Sequence, residues 1–251
     1  MWLAKLDKRA AGRIDSAMNT KQRQVHKPFH PIPPVLAVLV AAIVGIELVL
    51  QAADRGLIGG PEAMGWRLDL VRDFGLHKAV FDHIRVGGDI EPKVLWPFLT
   101  YVFVHKSFVQ MLIGSALILG MGKMISVRFS SLAVIILFVM CGLAGALAFG
   151  LWSTAGGFPL VGAYPVFYGL IGTFTWIRIS DLRAEGKNIL PAFQAVGMFL
   201  VFRSVFALLY GLSNSWMADL AGVITGFLLA YLLAPNGKDR LKRWVRTLRQ
   251  R

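Results

Sequence analysis

The sequence has few residues of the kinds that form disulfides and bind metals. It contains one cysteine, Cys141, which excludes an intrachain disulfide and a cysteine-rich metal site. Its five histidines are too scattered to form a metal-binding set, and no phosphate loop or cofactor motif occurs. We therefore predict neither a metal nor a cofactor. Charged residues make up only 16% of the chain, against roughly 25% in soluble domains.

Long apolar segments are abundant. Hydrophobic residues account for 56% of the chain, and the mean hydropathy is +0.60. Six segments are each long enough, or nearly so, to cross a ~30 Å hydrocarbon core at about 1.5 Å per residue. They lie at 33–53, 97–121, 130–151, 163–179, 189–211 and 216–234. The sequence therefore predicts an all-α polytopic membrane protein with six spans.

The excess of basic residues sets a topology. The formal net charge is +13, but the basic residues flank apolar segments and no nucleic-acid recognition module accompanies them, which argues against a nucleic-acid partner. Lys and Arg are concentrated in residues 1–31, 122–129, 178–188 and 235–251, which fall on one side of a six-span chain. The positive-inside rule predicts that both termini are cytoplasmic, and the basic ends suit contact with anionic lipids.

Three regions follow from this pattern. Residues 1–31 form a basic arm, residues 32–234 a membrane domain and residues 235–251 a basic tail. Between the first two spans lies a long loop, 54–96, whose apolar residues are spaced for one or two amphipathic helices broken near Gly75. We expect this loop to lie in the headgroup region of the membrane.

Two short motifs carry a family resemblance. Residues 162–170 read GAYPVFYGL, and residues 218–226 read ADLAGVITG. Both resemble motifs of rhomboid intramembrane serine proteases, Gly-x-Ser-Gly and Ala-His-x-x-Gly-x-x-x-Gly. The resemblance implies a six-helix bundle with a long loop after the first helix. It also places Tyr164 where the family has the Ser nucleophile, and Asp219 where it has the His base.

The second span extends the resemblance. Residues 96–110 match the family pattern Trp-Arg-x-x-Thr-x-x-Phe-x-His-x-Ser-x-x-His at Trp96, Thr100, Phe103, His105 and Ser107. We interpret His105 as a structural residue satisfied by loop backbone. Positions that help to hold the oxyanion in the family carry Gln110 and Gly114 here, and the glycine after the nucleophile is Pro165.

Taken together, these substitutions alter the nucleophile, the base and the oxyanion donors that the protease reaction uses. The serine protease reaction needs a hydroxyl activated by a neighbouring imidazole. A phenol with a pKa near 10 stays protonated without a strong base, and an ordinary carboxylate is too weak a base. We therefore predict that Tyr164, Pro165, Asp219, Gln110 and Gly114 are degenerate positions and that the chain has no proteolytic activity.

Three charged residues fall inside predicted spans: Glu47, Arg203 and Asp219. Such residues are costly in a bilayer and mark paired or functional sites. One interpretation is that Arg203 and Asp219 neutralise each other while Glu47 is protonated or faces water. Another is a polar pocket for a transmembrane residue of a client. Helix packing is predicted at Gly162, Gly169, Gly222 and Gly226, because small residues let helix backbones approach closely.

Three functions remain open from the sequence. The resemblance to inactive rhomboids and derlins favours a pseudoprotease that binds other membrane proteins as a scaffold, chaperone or assembly factor, in what we expect to be a bacterial inner membrane. One alternative is a protease with a rearranged centre, using Tyr164, Ser107 or Ser204. The other is a transport or lipid-perturbing protein that uses Glu47, Arg203 and Asp219 as a hydrated path.

Overall fold

The computed structural model describes residues 32–88, 91–154, 156–210 and 215–234. The predicted basic arm and basic tail lie outside the described residues. Among the residues described, the chain is helical and has no β-strand. Ten helices are labelled here in chain order: α1 Pro34–Asp54, α2 Trp66–Phe74, α3 Lys78–Gly87, α4 Pro92–Leu95, α5 Pro97–Thr100, α6 Phe108–Ser126, α7 Ser131–Trp152, α8 Tyr164–Ala184, α9 Gln194–Tyr210 and α10 Trp216–Leu233.

Six of these helices lie where the sequence predicts spans. Within the described part of the chain, α1, α6, α7 and α10 are long and apolar enough to cross a membrane on their own. Helix α8 is as long as α1 but less apolar. Its residues are mostly buried by neighbouring helices, so it needs less lipid-compatible surface than a helix that faces hydrocarbon. The all-α membrane fold is thus confirmed.

The second span begins later than the sequence predicts. The predicted segment 97–121 starts with α5 and a 3₁₀ turn, Tyr101–Phe103, and only then enters α6 at Phe108. Ser107 ends the irregular stretch by capping α6, since its hydroxyl accepts a hydrogen bond from the Gln110 N–H. This break could not be predicted from apolar composition, because the turn residues Tyr101 and Val102 are buried in the bundle as helix residues are.

The long loop between α1 and α6 has the structure predicted for it. It contains two short amphipathic helices, α2 and α3, and Gly75 separates them. A pair of backbone hydrogen bonds joins Leu76 to Leu160, at 3.0 and 2.9 Å. The loop is therefore fastened to the connection between α7 and α8.

Helix α8 is the centre of the bundle and packs most closely against α10. Their contact is made by glycines, where an added Cβ on Gly226 would overlap the carbonyl of Gly169. The hydroxyl of Thr173 donates to the carbonyl oxygens of both glycines, at 3.0 Å each. Glycine thus allows contact between the two backbones, and threonine adds a hydrogen bond across it.

Candidate functional site

A cavity of about 460 Å³ opens where α6, α8 and α10 begin. Its walls combine apolar side chains with a small number of polar groups, as is usual for ligand sites. Four of the five degenerate positions line it: Gln110, Tyr164, Pro165 and Asp219. The fold therefore gathers positions that are far apart in the sequence around one cavity.

Tyr164 and Pro165 form the first turn of α8. Proline is favoured there because it needs no N–H partner and its φ is already helical. Pro165 packs against Gly145 of α7, where an added Cβ would lie 2.6 Å from the proline Cβ. Pro165 therefore fills a packing position, and the half-buried Tyr164 side chain lines the cavity beside it.

Asp219 and Arg203 form the ion pair that the sequence suggested. The guanidinium of Arg203 donates to Oδ2 of Asp219 and approaches the hydroxyl of Ser215 at 3.4 Å. Asp219 is only 4% exposed. Its other oxygen, Oδ1, is buried and has no hydrogen-bond partner among the described residues. The carboxylate thus binds a cation on one side and can accept one more donor on the other.

Gln110 is held by the backbone before α6. Its Oε1 accepts a hydrogen bond from the Lys106 N–H at 2.7 Å. Its amide nitrogen lies against Gly162, where an added Cβ would come within 2.9 Å. Gly162 precedes α8 and has a φ of +99°, so it shapes a loop and is not the helix-packing residue that the sequence suggested. Gly169, Gly222 and Gly226 do lie at helix contacts.

His105 lies behind Gln110 and is almost fully buried. The His105 ring interacts with the backbone of Phe103, the kind of loop-backbone partner that the sequence suggested, although neither ring nitrogen reaches full hydrogen-bond geometry within the described part of the chain. Gly114 packs beside the ring, and its Cβ position would be 3.8 Å from Nε2 of His105. Burial lowers the pKa of His105 to about 4, which keeps the imidazole neutral at physiological pH.

Glu47 belongs to a different polar cluster, which includes Arg67 of α2. The Arg67 guanidinium donates to both Glu47 oxygens, at 2.8 and 3.0 Å, and to Asp54 Oδ2 at 3.0 Å. It also donates to the backbone carbonyl of His105 at 3.2 Å. Hydrogen bonding to Glu47 raises the pKa of Arg67. Glu47 is therefore paired, in contrast to the expectation that it is protonated or faces water.

Sequence reasoning missed two residues of importance, Arg67 and Lys106. Arg67 lies among offsetting charges in the loop 54–96, so its pairing with an intramembrane acid was not apparent. Its position within an apolar context, Trp66 before and Leu68 after, was a usable signal. Lys106 precedes α6 at the cavity wall, and the only signal for it was a lone cation beside a span.

The site and fold define a class: a polytopic α-helical membrane protein with a largely apolar cavity, carrying a few polar groups, at one end of its helix bundle. The rhomboid domain profile matches residues 92–236, which is more than half of the chain. The chain belongs to the rhomboid family. Among curated proteins, no sequence matches it.

The chemical capacity of the cavity follows from these groups. Asp219 is engaged by Arg203, and the hydroxyl beside it belongs to a tyrosine, whose oxygen lies much further from the backbone than that of a serine. The groups at hand are suited to hydrogen bonding and to charge pairing. Among the described residues that line the cavity there is no histidine, so the wall holds no hydroxyl–imidazole pair of the kind that acyl transfer uses.

Proposed function

We propose that this rhomboid-family protein is a pseudoprotease that binds other integral membrane proteins, as a scaffold, chaperone or assembly factor. The observation that carries the proposal is the Arg203–Asp219 ion pair at the cavity. The Arg203 guanidinium donates to Oδ2 of Asp219, so this oxygen is engaged and is not free to take a proton from a neighbouring hydroxyl. The protein thus has a cavity at this position, and the side chains that line it suit the binding of a partner.

The few polar groups of the cavity also suit a membrane partner. Polar groups inside a bilayer need partners, because hydrocarbon offers none. Asp219 Oδ1 supplies an unused acceptor, and Lys106 and Gln110 supply donors at the cavity wall. A client with an exposed polar group in its transmembrane segment would satisfy these groups and its own at the same time.

The two alternatives have less support. A protease with a rearranged centre needs a hydroxyl beside a free base. Ser107 instead caps α6 through its hydroxyl, and the Ser204 hydroxyl donates to the Leu200 carbonyl. A hydrated path would need Glu47 near Arg203 and Asp219. Glu47 instead pairs with Arg67, so the three residues do not form one cluster.

The location of this activity is part of the proposal. We place the protein in a bacterial inner membrane with both termini in the cytoplasm, because Lys and Arg are concentrated in the regions that this topology would place on the inner side. The cavity, near the end of α7 and the starts of α6, α8 and α10, then lies toward the outer face.

Site-specific photocrosslinking tests the binding role. A photoreactive residue at Tyr164 should capture a small set of membrane proteins, and the same residue at Leu132 should capture only lipid or abundant bystanders. Leu132 is an exposed residue of α7 and is absent from the cavity wall. A cavity-blocking Ile113→Trp substitution should abolish the Tyr164 adducts. The same adducts at both positions would contradict the proposal.

A direct assay tests the absence of proteolysis. Purified protein in lipid is incubated with a generic rhomboid substrate, beside an active rhomboid as positive control. We expect no cleavage above background. Cleavage that persists through repurification and disappears on a single substitution, such as Tyr164→Phe or Asp219→Asn, would favour the rearranged protease.

A further inference from the structure

Lys106 is the one cation of the cavity wall that lacks a carboxylate partner within the part of the chain that the structure describes. The other basic residue of the wall, Arg203, is paired with Asp219. The Lys106 ammonium instead lies 3.9 Å from the ring centroid of Phe158, which also lines the cavity. A cation–π contact leaves the ammonium's hydrogen-bond donors available to an anion.

An apolar wall continues from this cation into the bundle. Ile113 and Leu117 line it from α6, and Phe167 and Phe199 line it from α8 and α9. Helix α6 begins at Phe108, so Leu117 lies about 14 Å deeper along the helix at 1.5 Å per residue. The cavity is therefore amphipathic along its length, with a positive charge at one end and a hydrocarbon-like surface beyond it.

The apolar part of the cavity lies next to surface suited to lipid. Helices α6 and α9 both contribute to the cavity wall, and among their described residues no extensive packing joins them. Ile113 is 42% exposed although it lines the cavity, and its neighbour Leu112 is also exposed. At Ile113 the apolar wall of the cavity is thus continuous with helix surface that is suited to lipid hydrocarbon.

We propose that this cavity binds an amphiphile with an anionic headgroup, such as an anionic phospholipid. The phosphate oxygens of the headgroup accept hydrogen bonds from the Lys106 ammonium, which is a compact point charge. One acyl chain lies along Ile113 and Leu117. Arg203 is already neutralised by Asp219, so the headgroup binds at the outer end of the cavity and not at the ion pair.

This inference is independent of the client proposal, since it concerns the charge and shape of the cavity alone. It also adds a form of regulation. A bound lipid covers the apolar wall that a client would contact, so anionic lipid and client compete. A protein that bound lipid and no client would contradict the proposed function and leave this inference intact.

Native mass spectrometry of the full chain, exchanged from detergent into defined lipid mixtures, tests the proposal. Phosphatidylglycerol and phosphatidylcholine with identical acyl chains are offered at equal concentration. We expect about tenfold greater retention of phosphatidylglycerol. Lys106→Gln should remove most of this preference. Lys93→Gln, which makes the same charge change at a residue outside the cavity, should preserve it.

A second pair of variants tests the acyl wall. Ile113→Trp fills the cavity and should reduce phosphatidylglycerol retention about tenfold, whereas Leu112→Trp, one residue away on the exposed face, should not. Equal retention of both lipids, or equal effects of Lys106→Gln and Lys93→Gln, would overturn the proposal. Displacement of the lipid by inorganic phosphate alone would overturn it too, because it would indicate a site for a free anion.

Discussion

Glu47 of α1 accepts hydrogen bonds from two nitrogens of the Arg67 guanidinium, at 2.8 and 3.0 Å. This bidentate pair joins the amphipathic loop to a carboxylate inside the first span. Arg67 also donates to the carbonyl of His105, one residue before Lys106. A single side chain thus fixes α1, α2 and the segment that supplies the cavity wall.

Loss of one partner should therefore destabilise the protein. Arg67→Met leaves Glu47, whose side chain is only 2% exposed, without its cation, and the expected cost is about 3–5 kcal/mol. Arg72→Met is the control, because Arg72 makes exposed ion pairs with Asp69 and Asp73, which contribute little to stability, and its loss should leave the unfolding transition nearly unchanged. Unfolding in mild detergent measures both. Equal effects would show that the Glu47 pair is not structural.

Asp219 and Arg203 should be energetically coupled across α9 and α10. Asp219→Asn and Arg203→Met each leave one polar group without its partner, while the double variant removes both. We expect the double variant to cost at least about 1 kcal/mol less than the sum of the single variants. Thermal unfolding in detergent gives the three values. Strict additivity would rule out direct pairing. It would instead favour a role for Asp219 in contacting a client or water.

The positions of the helices could be predicted from the sequence, because the length of a span and the amphipathicity of a loop are local properties. The Arg203–Asp219 pair could also be anticipated, since two opposite charges inside adjacent spans have few other partners. The late start of α6 could not, because Tyr101 and Val102 are as apolar and buried as helix residues. An apolar run does not distinguish a buried turn from a buried helix.

Partners distant in sequence were the least predictable part of the site. Glu47 and Arg67 are 20 residues apart, and their pairing depends on how α2 folds back on α1. The role of Gly162 was also misread. A glycine beside a span suggests close helix packing, yet its positive φ places it in the loop that precedes α8.

Acidification should destabilise the protein through His105. Its folded pKa is about 4, below the ordinary value near 6.5. The unfolded chain therefore binds the proton first, and stability falls as the pH drops from about 6.5 toward 4. The loss at about pH 5 is roughly 2 kcal/mol. We expect a lower Tm at pH 5 than at pH 7.5, and a smaller difference in His105→Gln. An unchanged difference would assign the effect to other groups.

The orientation of the chain is open to a reporter test. Fusion of an enzyme active only outside the cytoplasm should give no activity at Arg251 and high activity within the loop 54–96, if Lys and Arg set the topology. A cytoplasm-active reporter at the same two positions is the matched control and should give the inverse pattern. The opposite result with both reporters would reverse the proposed topology and place the cavity toward the cytoplasm.

The contact between α8 and α10 gives the sharpest packing prediction. A Cβ at Gly226 would overlap the carbonyl of Gly169, so Gly226→Ala must separate two backbones that Thr173 also joins by a hydrogen bond. Overpacking of this kind costs about 1–3 kcal/mol.

Gly120 of α6 is the control, since a Cβ there meets nothing within 4 Å. Gly120→Ala should stabilise by about 0.5–1 kcal/mol through the higher helix propensity of alanine. We expect Tm to fall in Gly226→Ala and to rise in Gly120→Ala. A similar fall in Tm in both variants would mean that Gly226 is not needed for the close approach of the two helices.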